Sequence, residues 1–528
     1  MMHPGHENPD FIAPSGPVDP ALTLLSVRHA DGRPLAVLAN YSMHYFSSAP
    51  VSPDYYGRFA RRLAARLGAG PGFVAMMSQG TSGDQQWIDY SRPRRWTHSI
   101  DAFTEEVVDV AVAALSGVEH HAAPHLAVAE EMLTLGRRTP GRQRLAWARG
   151  VLARLGGAAP ADRESVFARE QLFLRAEPRR EMRFQAMRIG DLGIAAMPTE
   201  AFGLTGLKLK AKSPFRTTMN ITLANGAEGY VPPVEQHALG GYVTWPARTA
   251  GLEVAAERRI SQLLLGLLER VAGRPRRRLR PQHGPYAREV LALGPHAYWR
   301  LDEMGPGIAR DATGNKRHAR YEGLVAYHLP GAQKLSAGVN DPPLRPSPFS
   351  GAVVNRAPHL AGGRIRAQLP DLPAVYSLSL WFWSGLAAEL APASMRLFAR
   401  QDALGNVVES LELLGGPDRP ARLAFRDAAG RMFPGRTDIS CRCWCEVVFV
   451  RGASCVRVYL DGSAEPEIDT GSDAASSPAA PVLLLGGPAA LECSGWEGRL
   501  DEAAVFARTL GPETIAHLHH VACPQQES

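Results

Sequence analysis

The sequence predicts two domains of different class, an α/β domain over residues 1–272 and an all-β sandwich over 287–522, joined by a linker at 273–286. Three observations carry that expectation. At 528 residues the chain exceeds what one core holds, so two or three domains are expected. Up to residue 270 short apolar runs alternate with stretches of helical periodicity, whereas beyond 287 strand-like runs follow one another between Gly, Pro and Asp turns. Between them, residues 273–286 are dense in arginine, proline and glycine and carry no packing pattern.

In chain order, residues 35–40 and 192–197 are nearly continuous apolar runs, as expected of strands covered on both faces. Residues 54–67 set Tyr56, Phe59, Leu63 and Leu67 at helical spacing with arginines on the other side, and 99–115 repeats the pattern through Phe103, Val107, Val110 and Ala114. Residues 137–185, charged and alanine-rich, read as a peripheral helical insertion, and 251–271 as a closing leucine-rich helix. In the second half, 377–383, 446–450, 456–460 and 482–485 read as strands of a sandwich.

Composition narrows the function classes. Hydrophobic residues at 45% and charged ones at 21% are ordinary for a globular chain. The net charge of +6 is spread thinly, without the basic runs of a nucleic-acid surface; the cluster at 274–280 reads as a solvated connector. No apolar run approaches the ~20 residues of a membrane span, and the start lacks the apolar core of a signal peptide. Cys441, Cys443 and Cys445 alternate in a strand-like segment, which would put them on one face, with Cys455 on the next strand. Disulfides and free thiols both stay open there, while the spacing disfavours a zinc site.

Two stretches carry chemistry. Asn40-Tyr-Ser-Met-His44 runs into Val51-Ser-Pro-Asp54-Tyr-Tyr-Gly57, and Met197-Pro-Thr-Glu200 into Asn225-Gly-Ala-Glu228-Gly-Tyr230. His44 and Glu200 each follow a strand-like run, and a polar group at a strand end escapes the desolvation cost of the core. Catalytic zinc takes three protein ligands from His nitrogen and carboxylate oxygen and keeps a position for water, and these residues fit two of the three. His237 is an acid or base near neutral pH, or equally an exposed loop histidine. Arg248 binds a substrate anion or neutralises Glu253. The glycines at 80 and 83 lack the Gly-Lys-Ser ending of a phosphate loop, and no Gly-x-Ser-x-Gly elbow is present.

Ala297-Tyr-Trp-Arg-Leu-Asp-Glu303, Asp311-Ala-Thr-Gly-Asn315, Ser377-Leu-Ser-Leu-Trp-Phe-Trp383, Val458-Tyr-Leu-Asp-Gly462 and Gly498-Arg-Leu-Asp-Glu-Ala-Ala-Val-Phe506 resemble a laminin-G-like jelly roll of the concanavalin A type. The resemblance implies a module that binds a glycan or protein ligand, with Trp299, Trp381 and Asp501 serving packing. Gly16-Pro-Val-Asp19, Asn40 to His44, Ser52-Pro-Asp54, Gln79-Gly-Thr-Ser-Gly-Asp84, Pro198-Thr-Glu200 and Asn225 to Tyr230 resemble the neutral/alkaline ceramidase family over about residues 8–272. That family binds Zn²⁺ through two histidines, a glutamate and a tyrosine and directs water at an amide bond. Carried over, His44, Glu200 and Tyr230 are metal ligands, Asp54 and Asp84 orient a ligand or the water, and His237, Tyr242 and Arg248 lie toward substrate.

The resemblance implies a lipid or other acyl conjugate as substrate and an extracellular or periplasmic place of action. Two departures stand against it. The family's first histidine segment has no counterpart, which implies an upstream portion missing from this chain or substitution by His3 or His6. Gln86 holds the position of the family's motif serine, and Ser82 occupies a different slot. Without that histidine and serine, the expectation for the chain as given is weak zinc binding and little activity, and the alternative is a catalytically degenerate surface or scaffold protein whose sandwich binds a glycan or protein.

Overall fold

A computed structural model describes residues 8, 11–46, 49, 51–90, 99–332, 347–351, 353–386, 394–416, 419–472, 480–487 and 495–524. His3 and His6 lie outside them. The chain divides into two compact units, Met1–Pro9 with Val18–Leu279 and Asp10–Pro17 with Arg280–Ser528. The division at 279/280 falls in the arginine- and proline-rich segment.

In the first unit β1 (Thr23–Arg28) pairs antiparallel with β2 (Pro34–Tyr41), and α1 (Asp54–Arg66) carries the chain over to β3 (Val74–Gln79), parallel to β2. Phe59 and Leu63 of α1 pack with Val37 and Ala39 of β2, joined by Val108 and Ala111 of α2 (Ile100–Leu115). Ser99 caps α2 by accepting from Ala102 N at 3.1 Å.

Then follow β4 (Leu126–Gly136), α3 (Arg142–Arg154), α4 (Arg163–Ala176), β5 (Arg179–Ile189), β6 (Leu192–Ala196), β7 (Glu200–Ala201), α5 (Gly203–Lys212), β8 (Thr217–Ile221), β9 (Tyr230–Val231), α6 (Val234–Leu239) and α7 (Ala256–Ala272). A four-stranded sheet runs β4-β5-β6-β8, with α7 on β4 and β5, and β7 pairs parallel with β9. The expected helical insertion at 137–185 is thus corrected at its end. Residues 179–185 begin a strand paired with β4, because Met182, Phe184 and Ala186 alternate into the core shared with α7 while Arg183 and Gln185 between them lie on the other face. Asn40 Nδ2 donates to Asn220 O at 2.9 Å and Thr222 N to Gln79 O at 3.0 Å, so the ends of β2 and β3 meet the end of β8 through polar groups.

Among the described residues the second unit is a β-sandwich of two antiparallel sheets of eight strands each. One places Glu497–Phe506, Tyr376–Ser384 and Trp444–Arg451 at its centre, the other Arg364–Gln368, Val482–Gly486 and Ser394–Gln401. Phe398 and Phe425 of the second sheet meet Phe449 of the first, with ring centroids 4.9 and 5.6 Å apart. Trp299 and Trp381 are buried, and Asp501 Oδ2 accepts from Ala332 N at 2.7 Å and Asn355 Nδ2 at 2.6 Å, so all three serve packing. The cysteine alternation does not hold. The strand begins at Trp444 and Arg442 has φ 59°, which leaves Cys441 and Cys443 in the preceding turn. Cys441, Cys443, Cys445 and Cys455 are free thiols. Among the described residues no helix is long and apolar enough to cross a membrane.

Candidate functional site

Strand ends build the site. The parallel pair β2 and β3 releases its chain at one edge, so His44 after β2 and the 80–86 loop after β3 emerge together, and His44 N donates to Gln85 O at 3.4 Å. The β7 to β9 register sets Glu200 directly opposite Tyr230. His44 Nε2 stands 3.4 Å from Glu200 Oε2, with side chains 16% and 22% exposed. The Tyr230 ring lies nearly parallel to the imidazole, centroids 6.5 Å apart, and its hydroxyl accepts from Tyr242 OH at 2.8 Å.

The loop that faces them is tightly held. Gly83 N donates to Ala201 O at 2.9 Å, and a Cβ at Gly83 would stand 2.6 Å from the Glu200 carbonyl oxygen, so a side chain there forces the loop off. Asp84 Oδ1 accepts from Gly203 N, 2.7 Å, at the N-terminus of α5, where the helix end favours a carboxylate. Gln85, not Gln86, turns inward: its Nε2 donates to Thr81 O at 3.0 Å and its Oε1 accepts from Asp19 N at 3.2 Å. Buried Asp19 in turn pairs with Lys210 at 2.7 Å. Gln86 is exposed, and Ser82 is spent within its own turn, accepting from Gln79 Nε2 at 2.9 Å.

Asp54 works on backbone. It has φ 50°, and its Oδ1 accepts from Phe46 N at 2.9 Å and Tyr55 N at 2.8 Å, which ties the segment after His44 to the start of α1. The hydroxyls of Tyr55 and Tyr56 both reach Met43 O at 3.4 Å. These supports were not visible in sequence, since a loop contact leaves no periodic trace.

Charge and burial tune the groups. The hydrogen bond that the His44 imidazole donates to Glu200 raises it above its usual range against the pull of burial, and the Ser82 and Gln85 carbonyls add to the rise. His44 Nδ1 is buried and forms no aligned hydrogen bond. Asp84 keeps an exposed surface yet is crowded by protein, and desolvation pushes its carboxyl up to about 7, against the Gly203 N–H and the charge of His44. Desolvation also lifts the Tyr230 and Tyr242 hydroxyls, with the Tyr242 hydrogen bond adding to the rise at Tyr230.

His237, on α6, is pushed down to about 4 by burial and by Arg138, so it is a neutral imidazole at pH 7. Arg248 does not pair with Glu253. Its Nε and Nη2 fork onto Glu170 at 2.8 Å each, with Phe173 lying 3.8 Å below the guanidinium, while Glu253 pairs with Arg259. Among the described residues no three His, Cys, Asp or Glu side chains gather as a metal site. His44, Glu200 and Tyr230 bring an imidazole, a carboxylate and a phenol together instead.

No family model and no curated protein matches the chain. Among solved structures it is similar to domain 4 of AbnA, an extracellular GH43 arabinanase from Geobacillus stearothermophilus (18% identity, TM-score 0.29, covering 42% of this chain and 97% of that one). It is also similar to Trypanosoma rangeli sialidase (13%, TM-score 0.29, 42% and 32%) and to the binding domain of botulinum neurotoxin serotype D (12%, TM-score 0.31, 43% and 51%). The chain therefore spans nearly all of the first, about a third of the second and half of the third.

Proposed function

We propose that the first unit is a hydrolase of amide or ester bonds resembling neutral ceramidase, acting on a lipid or other acyl conjugate, with Zn²⁺ held by His44, Glu200 and Tyr230. One observation carries the reading: His44 Nε2 lies 3.4 Å from Glu200 Oε2, with Tyr230 opposite Glu200 on the paired strand. Nitrogen and oxygen donors of these kinds suit zinc, and three of them leave a position open for water. Zinc bound there would supply a water of pKa roughly 7 and polarise the carbonyl under attack.

The protein groups have separate tasks. Asp84, with a carboxyl near 7, takes and returns a proton close to neutrality. Its Oδ1 is committed to Gly203 N–H, so the proton sits on Oδ2. Exposed Gln86 offers an amide N–H to a developing oxyanion, which a carboxylate could not do. Neutral His237 accepts a hydrogen bond, and Tyr242 orients Tyr230 through its hydroxyl. Asp54 positions the backbone beyond His44. Our reading of the second unit is a laminin-G-like module that binds a glycan or protein ligand, the whole acting outside the cytoplasm.

The test is turnover of a fluorogenic N-acyl amide and its ester analogue by the zinc-loaded chain, beside His44→Ala and Glu200→Ala. Hydrolysis that both substitutions abolish supports the proposal. No hydrolysis by the parent chain, or equal rates in all three, leaves the scaffold reading.

A further inference from the structure

We propose that the groove between α3, α4 and Trp245 binds a small amphiphile by its anionic group. The depression measures about 570 Å³, within the span of about 300–1,000 Å³ usual for ligand sites. Two indoles line it, Trp147 at 39% and Trp245 at 36% exposure, and Phe167 meets Trp245 edge-on at 5.5 Å. Large aromatic faces left open to water retain apolar area for a ligand to cover.

The charge around these rings is one-sided. The Arg163 guanidinium stands 5.4 Å over Trp245 and that of Arg144 6.0 Å over Trp147. Among the described residues neither arginine has a carboxylate within ion-pair distance, whereas Glu164, the acid on the rim, is taken by Arg154 at 3.4 Å. Two uncompensated guanidiniums beside apolar faces fit a phosphate or carboxylate joined to an apolar body. A neutral amphiphile leaves the charges idle, and a bare anion leaves the indoles idle.

The walls are set in advance. Fully buried Gln171 donates through Nε2 to Phe167 O at 3.1 Å and Pro246 O at 2.8 Å, and its Oε1 accepts from Arg144 Nε at 3.0 Å. The Arg248 to Glu170 fork fastens the same turn to α4. Trp245, Phe167 and Arg144 are therefore held in place before any ligand arrives, which lowers the ordering cost of binding.

Isothermal titration of the full chain with octyl phosphate, octanol and inorganic phosphate tests this. Octyl phosphate should bind one site at least about tenfold more tightly than either partial probe, and Arg163→Gln and Trp245→Ala should each weaken it about tenfold. Both positions are exposed, so unchanged melting certifies the fold. No binding of octyl phosphate, equal affinity for all three probes, or undiminished binding in both variants overturns the proposal. His44→Ala should leave the titration unchanged, so this inference and the hydrolase reading fail separately.

Discussion

In the sandwich, Arg300 is 4% exposed and Glu502 not at all, and the guanidinium reaches the carboxylate at 2.7 Å while also meeting Ser350 Oγ at 2.9 Å and Phe349 O at 3.1 Å. In the first unit, His44 and Glu200 keep 16% and 22% of their exposure and meet at 3.4 Å, and His44 Nδ1 has no aligned partner. The same kinds of charged group thus have opposite surroundings. A buried pair with a filled partner set holds a fold, whereas a half-open pair at strand ends has capacity left for a ligand.

Substitution should separate the two. Arg300→Ala leaves Glu502 buried and uncompensated and should cost about 3–5 kcal/mol in denaturant unfolding, while His44→Ala should shift unfolding by less than about 1 kcal/mol. Equal costs would erase the distinction. Gly83→Ala drives a Cβ toward the Glu200 carbonyl and should cost about 1–3 kcal/mol, with hydrolysis falling further than stability alone explains.

His237 adds a pH test. Its folded value near 4 lies below the ordinary 6.5, so as pH falls the unfolded chain takes the proton first. Stability present above pH 6.5 is lost on the way down to pH 4, on the order of 1–2 kcal/mol after allowing for its partial exposure. His237→Gln should flatten the stability curve in that window alone. Asp54→Ala removes the acceptor for Phe46 N and Tyr55 N and should cost about 1 kcal/mol, lowering hydrolysis through His44 placement by more than that loss of stability explains.

What could be read in advance follows from where periodicity exists. The spacing of Phe59 and Leu63 marks α1, and the apolar run at 377–383 lies within the strand Tyr376–Ser384, because a buried face repeats at a fixed interval. The nearness of His44 to Glu200 was legible as two strand ends with ligand-type residues. The two-residue pairing of β7 with β9 was not, since so short a strand carries no pattern. Motif register picked Gln86 where the loop turns Gln85 inward, and chain proximity suggested Glu253 for Arg248 where Glu170, 78 residues away, takes it. Loop direction and distant ion pairs are settled by tertiary packing, which a single chain read in order does not display.

The most direct measurement is zinc titration against a chromophoric chelator for the parent chain, His44→Ala and Glu200→Ala. The account predicts one zinc ion per parent chain, held weakly for want of the second histidine, and loss of that binding in both variants. No zinc taken up by the parent, or the same uptake in all three, would contradict it.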